Sequence, residues 1–302
     1  MVILNLQQAS FYHVPVLGKE AIRWWYTDPD GIYVDGTFGG GGHSQRLLDL
    51  LSKKARLLAF DRDVEAIANN PINDIRLTLI HHNYEYAANY ARFLGWIPIH
   101  GVLLDLGVSS RQLDHMMRGF SYRGDGPLDM RMDRQQQKTA ADVLNRYSVT
   151  ELARIFRMWG DVPRAEHLAK AIVNGRRHHP WRTTGQLASL ALQYKPRSMK
   201  PAKFLSQVFQ ALRVEVNDEV GSLQRFLHAM APLMAPGGRM VLITFQGAED
   251  RTIKNFAKSE LARRLGIRIV TKNVVRPSWE ERKSNPRARS ARMRVLERKT
   301  VR

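Results

Sequence analysis

The chain has 302 residues, enough for one large α/β domain or for one domain carrying a second, and its 44% hydrophobic content allows a sizeable core. It contains no cysteine, which excludes disulfides and any thiolate zinc or iron–sulfur site and fits a reducing compartment. Forty-seven Lys and Arg against 28 Asp and Glu leave a net charge of +19, an excess that favours a polyanionic partner because neutralising phosphates releases counterions. The charge is scattered along a folded chain with no basic amphipathic anchor, so nucleic acid ranks ahead of an anionic membrane. The first residues, MVILNLQQASFYHVPVL, lack a basic stretch followed by an apolar one, so no signal peptide is expected. No run of about 18 apolar residues occurs, so no membrane span is expected either.

In chain order, a helical stretch at Val16–Tyr26 places Trp24 and Trp25 in packing positions. Ile32-Tyr33-Val34 then reads as a strand entering a glycine-rich turn. His43 to Leu51 reads as a helix with Leu47, Leu48 and Leu51 on one face. Strands follow at Arg56–Phe60, ending at Asp61, at Leu77–Ile80, ending near His81, and at Gly101–Leu104, ending at Asp105. Short apolar runs separated by helices suggest buried parallel strands in βα units. From about Leu113 to Val216 the strand signal vanishes. Helical periodicity takes over at Ala140–Asn145, Thr150–Trp159, Ala165–Asn174, Thr184–Gln193 and Phe204–Val214, punctuated by Pro163, Pro180, Pro196 and Pro201. Val220–Met234 is helical, Pro236-Gly237-Gly238 reads as a turn, and strands resume at Met240–Phe245, Ile267–Thr271 and Met293–Leu296. The tail from Arg276 is basic and expected to be mobile in part. Strands, helices, then strands again imply an all-helical domain, residues 113–216, inserted into an α/β domain formed by 1–112 and 217–302.

The turn Asp35-Gly36-Thr37-Phe38-Gly39-Gly40-Gly41-Gly42-His43-Ser44 holds four consecutive glycines. Their entropic cost is hard to justify in a purely structural connection, whereas a ligand that must approach the backbone closely needs them. A phosphate-binding P-loop requires a lysine where Gly42 and His43 stand, and no register supplies Gly-x-Gly-x-x-Gly. S-adenosylmethionine, which has no pyrophosphate, fits better. Asp61 follows Gly42 by 19 positions, near the ~20 expected of a carboxylate that accepts ribose hydroxyls, although a helix-capping aspartate gives the same pattern. Asp105 and the loop after it face the crevice at the carboxyl ends of the strands, with capping again the alternative.

With these residues, Leu104–Ser110, Arg118–Ser121, Asp125–Asp133, Phe209–Arg213, Pro236–Arg239 and Asn285–Ser290, the chain resembles the RsmH (MraW) family. These are bacterial enzymes that methylate the N4 amine of a cytidine in the decoding centre of 16S ribosomal RNA. The motifs run in order from about His13 to Glu297. The resemblance implies a Rossmann-like class I methyltransferase sheet with the inserted helical domain serving substrate recognition. It implies S-adenosyl-L-methionine as cofactor, contacted by Gly41, Gly42 and His43, with Asp61 on its ribose and Tyr84, Asp105 and Gln112 completing the pocket. Tyr84, just after the third strand, is placed to stack on adenine. One departure stands out: Thr244–Arg251 reads TFQGAEDR where the family usually has SFHSLEDR.

The expected reaction is in-line displacement of the methyl group by the cytosine amine, with the base splayed out to reach the site. Asp105, or carbonyls just after it, is the candidate acceptor for the amine N–H, and no metal is required. Met130 and Met132 fit either core filler or, as preferred, a loop shaping the site. Arg287, Arg289, Arg292 and Arg294 are candidates for RNA phosphate, and Trp181, beside Arg176, Arg177 and Arg182, for stacking on a base. The expected partner is 16S rRNA or the small ribosomal subunit, without a membrane, in the cytoplasm, with a homodimer left open. The competing readings are a methyltransferase on another RNA or DNA amine and a non-catalytic RNA-binding ribosome-assembly factor.

Overall fold

A computed structural model describes residues 15–300; the leader reading and His13 fall on residues outside that range. The chain divides into two compact units, one formed by residues 1–107 with 222–302 and the other by residues 108–221. The first opens with α1 (Gly18–Trp25), β1 (Ile32–Asp35), α2 (Gly42–Leu48), β2 (Arg56–Asp61), α3 (Val64–Ala68), β3 (Leu77–His81), α4 (Ala87–Phe93) and β4 (Ile99–Asp105). The second contains α5 (Ser110–Asp114), α6 (Ala140–Arg146), α7 (Val149–Gly160), α8 (Ala165–Gly175), α9 (Thr184–Gln193) and α10 (Pro201–Asn217). The chain then passes through α11 (Glu219–Met230) to β5 (Met234–Thr244), α12 (Gly247–Ala257), α13 (Glu260–Arg264), β6 (Ile267–Ile269), α14 (Trp279–Ser284) and β7 (Arg292–Arg298).

The strands form one seven-stranded sheet in the order β3-β2-β1-β4-β5-β7-β6. Pairings from β3 through β5 are parallel, while β7 runs antiparallel to both β5 and β6. Alternate residues of each strand enter separate cores. Leu57, Ala59, Leu103, Val241 and Ile243 pack with Trp25, Tyr33 and Leu47, whereas Leu58, Phe60, Leu104 and Leu242 pack with Ala87, Ala91, Phe226 and Phe256. Helices therefore cover both faces, which is why the central strands read as unbroken apolar runs.

Three expectations need correction. Pro236-Gly237-Gly238 is no free turn: it lies inside β5, where the pairing jumps from Ile99–Met234 to Gly101–Arg239, so the extra residues form a bulge. The segment from Arg276 to Arg298 is folded, as α14, a 3-10 turn at Pro286–Ser290 and β7. Met130 and Met132 are core filler of the helical unit rather than a site-shaping loop.

That last segment has a specific lock. Met130 sits at φ 58°, a left-handed conformation that costs free energy in a residue with a side chain. The Asn217 side chain holds it, its Nδ2 donating to the Met130 carbonyl at 2.7 Å and its Oδ1 accepting the Met132 N–H at 2.8 Å. Arg118 adds bonds to the carbonyls of Arg131 and Met132 at 3.1 and 3.0 Å. Asn217→Ala takes these partners from buried backbone groups and is expected to destabilise the chain by about 2–4 kcal/mol, since each abandoned group costs about 1–3. Urea titration followed by tryptophan fluorescence measures this, and a loss under about 0.5 kcal/mol, the scale of an inert surface change, contradicts the lock.

Candidate functional site

Order in the sheet reverses at β1 and β4, the strands that place the glycine turn and Asp105 side by side. Asp35, Asp61 and Asp105 end β1, β2 and β4, so three carboxylates line the carboxyl edge of neighbouring strands. In open α/β sheets that edge is where ligands bind.

Asp35 organises the turn. Its Oδ1 accepts the Thr37 N–H at 3.0 Å and its Oδ2 accepts the Ser44 hydroxyl at 2.7 Å, tying the entrance of the turn to α2. Thr37 passes the connection on, its hydroxyl accepting the Asp105 N–H at 2.7 Å. Gly36 N–H donates to the Leu103 carbonyl and Phe38 N–H to the Phe60 carbonyl, both at 2.9 Å. The glycines answer separate demands. Gly36 lies so close to Leu104 and Tyr84 that a Cβ would meet their side chains at 2.2 and 2.9 Å, and Gly41 adopts φ 75° as the residue before α2. Gly40 has neither excuse: its φ is ordinary and a Cβ there would meet nothing within 4 Å. Gly40 is exposed, so its side of the turn opens to solvent and leaves the backbone approachable.

Asp61 is not the cap of α3. Asp63 is, accepting the Glu65 N–H at 3.1 Å. Asp61 instead accepts Gly39 N–H on one oxygen and Asp63 N–H on the other, both at 2.8 Å. Each oxygen keeps a further lone pair. Burial is the main cause pushing its pKa above the ordinary value, against the two backbone hydrogen bonds. Asp105 does not cap either: Ser109 caps α5. Its Oδ2 lies 3.5 Å from His43 Nε2. Its Oδ1 and both His43 ring nitrogens are buried without a hydrogen-bond partner among the described residues. His43 is 7% exposed and Asp105 21%, so these atoms form an inward-facing polar pair whose bonding capacity is unspent.

Other expected residues have local partners. Tyr84 is only 4% exposed, its ring at 83° to that of Phe226 with centroids 5.4 Å apart, so it backs the turn from the core. Gln112 belongs to the helical unit, where it closes a capping box with Ser109. Trp181 is not a free stacking platform: its indole N–H donates to the Ile172 carbonyl at 3.0 Å and its ring packs against Gly175. Arg294 is paired with Asp250 through two bonds, at 2.5 and 3.3 Å, and is withdrawn from phosphate contact. Arg287 and Arg289 are exposed and Arg292 half-buried. The departure at Gln246 has a local logic: it precedes α12, and its amide donates to Glu249 at 2.8 Å while Glu249 also accepts the Phe245 N–H. Sequence reasoning missed Asp35 as the organiser, although Ser44, in the first turn of α2, was its visible partner. Among the described residues no three His, Asp or Glu side chains are grouped to hold a metal, and no helix is long and apolar enough to cross a membrane.

A parallel sheet with one antiparallel strand next to its edge, and carboxylates flanking a glycine turn at the switch point, defines a class I methyltransferase fold. The chain belongs to the MraW methylase family, whose model matches residues 10–299. It is 46% identical over 293 residues to the ribosomal RNA small subunit methyltransferase H of Elusimicrobium minutum, covering 95% of this chain and 99% of the relative. With that of Amoebophilus asiaticus it shares 43% identity over 311 residues, 99% of each chain. The crystal structure of an rRNA methylase from Streptococcus thermophilus covers 94% of both chains at 11% identity, with a TM-score of 0.43, too low to define a shared fold.

Burial raises the Asp35 pKa from 3.8 to about 6, against the opposing hydrogen bonds from Ser44 and Thr37. A carboxyl whose pKa is raised on folding stabilises below its unfolded pKa, and that contribution is lost as pH rises through about 6. Its size is on the order of 3 kcal/mol. Asp35→Asn removes the titration, so the stability of wild type relative to the variant is expected to fall by most of that amount, roughly 2 kcal/mol, between pH 4 and pH 7.5. Urea midpoints at the two pH values test it; a gap that does not move with pH contradicts the assignment.

Proposed function

We propose that this chain transfers a methyl group from S-adenosyl-L-methionine to the N4 amine of a cytidine in 16S ribosomal RNA. The observation that carries the reading is the unspent polar pair of Asp105 and His43 beside the open glycine turn, in a chain that belongs to the MraW methylase family throughout its length. Relatives named ribosomal RNA small subunit methyltransferase H support the substrate, and the net charge of +19 suits it. Residues 108–221, the helical unit, are assigned to substrate recognition, and the cytoplasm follows as the place where ribosomal RNA is met.

The residues fit the cofactor. Gly39 to Gly42 admit it against the backbone, Asp61 accepts the ribose hydroxyls with its remaining lone pairs, and Asp105 with His43 take polar atoms near the reacting end. When bound, the cofactor supplies a sulfonium-activated methyl group whose departure leaves a neutral thioether. Asp105 accepts an N–H of the incoming amine, which draws the lone pair out of the cytosine ring and takes up developing charge. After transfer the nitrogen holds an acidic proton that water removes, so no strong general base is needed. A buried, partner-free carboxylate oxygen is suited to accept one hydrogen bond in a fixed direction.

Incubating the protein with methyl-labelled cofactor and small subunits lacking the modification should place label in N4-methylcytidine after nucleoside digestion; label in any other nucleoside reassigns the target. Asp61→Ala is expected to weaken S-adenosylhomocysteine binding by about 10- to 100-fold, the value of hydrogen bonds to a charged acceptor. Gly40→Ala is expected to weaken it while leaving thermal stability unchanged, because its Cβ enters open space in the free protein. Calorimetric titration measures both, and unaltered affinity in Asp61→Ala removes the ribose assignment.

A further inference from the structure

Trp279, the first residue of α14, keeps 63% of its surface exposed, while Lys283 Nζ lies 5.1 Å above its ring. It is not on a loose tail. Ser278 caps α14 by accepting the Glu281 N–H at 3.1 Å, and the Glu281 carboxylate accepts the Leu17 N–H at 2.7 Å, pinning α14 to the start of α1. Asn285 then caps the 3-10 turn, and Ala288 and Ala291 are fully buried. An aromatic ring on a held backbone loses little entropy when something stacks on it.

Its surroundings select the partner. Arg276, Arg282, Lys283, Arg287 and Arg289 are exposed along the same segment. The opposing acids are Glu280 and Glu281, the second already engaged by Leu17. No other large apolar side chain between residues 270 and 300 is exposed, so the patch is a lone aromatic among cations. A membrane-seeking helix shows a broad apolar face instead, and a protein hot spot lies within a rim of further contacts. An aromatic interleaved with cations matches single-stranded nucleic acid, in which bases stack and phosphates pair.

Position adds a second argument. The 3-10 turn feeds β7 at Arg292, opposite Thr244 at the carboxyl end of β5. Asp105 is opposite Ile243, one residue before Thr244. The segment therefore enters the sheet at the same edge as the carboxylates of the site. We infer that Trp279 is a stacking platform for one unpaired base of the RNA strand that carries the target nucleotide, with Arg276, Lys283 and Arg289 on the flanking phosphates. The inference rests on the RNA-methyltransferase reading and names where that enzyme grips its substrate.

The test uses the full chain and a short labelled single-stranded RNA at several salt concentrations. Trp279→Ala should weaken binding about tenfold, Trp279→Phe should stay close to wild type, and neither should alter the salt slope. Arg289→Ala should lower that slope by about one. Thermal midpoint and S-adenosylhomocysteine affinity should be unchanged in all three, since none touches the glycine turn. RNA affinity unchanged in Trp279→Ala overturns the inference, as does a loss confined to binding of phosphatidylglycerol vesicles. Normal methylation with Trp279-independent RNA binding sinks this inference alone, whereas Trp279-dependent binding without any methyl transfer sinks the enzymatic reading alone.

Discussion

The site depends on one buried carboxylate. α2 begins after Gly41 with no side chain capping its first N–H groups, and the turn before it is built largely of glycine, whose backbone is entropically costly to fix. Asp35 compensates by holding the Thr37 N–H and the Ser44 hydroxyl at once. Thr37 extends the restraint to the Asp105 backbone. A single side chain thus couples β1, the turn, α2 and the end of β4. The desolvation it suffers is what raises its pKa, and the local instability is the cost of a turn open enough to admit a ligand and rigid enough to orient it.

From this anchor the three strand-end carboxylates differ in how much of their bonding capacity the protein consumes. Asp35 is fully buried and both of its oxygens are engaged by the fold. Asp61 gives each oxygen one backbone N–H and retains lone pairs for more. Asp105 has an oxygen with no partner among the described residues. The fully engaged carboxylate thus sits on the central strand of the three, flanked by the two that keep capacity to spare. A polar atom without a partner is expensive to bury, and at Asp105 and His43 that expense falls directly beside the glycine turn.

Much of this was legible from residue order alone. Strands buried on both faces read as apolar runs because neither face reaches water, and helical periodicity in the second unit survived because its core is contiguous from Phe120 to Val216. Asp61 and Asp105 were found from their distance to the glycines and their place at strand ends. What was not legible involved partners far apart in sequence or decided by packing. Tyr84 follows a strand just as a stacking residue would, and its packing against Phe226, distant in the chain, has no signal in the sequence. Trp181 sits among arginines and still turns inward, because Ile172 offers its N–H a carbonyl and Gly175 gives its ring room. Trp279 carried no periodic signal at all; only its exposure distinguishes it.

The positive charge illustrates the same limit in energetic terms. A guanidinium has five donors in a rigid fork, so an arginine can serve backbone carbonyls as readily as phosphates. Arg76 binds the carbonyls of Leu51 and Ser52 and the Asp74 carboxylate. Arg176 binds those of Leu144 and Tyr147, closing a helix end. Arg213 is committed to Glu219 and Arg294 to Asp250. Net charge counts all of these, although their donors are directed into the fold and contribute only a diffuse long-range field. Cations that can exchange water for phosphate are the exposed ones, and around Trp279 several fall within one short segment that delivers its chain to the carboxyl edge of the sheet. Diffuse attraction is blind to register, whereas a cluster in which ring, charge and a held backbone coincide can fix one.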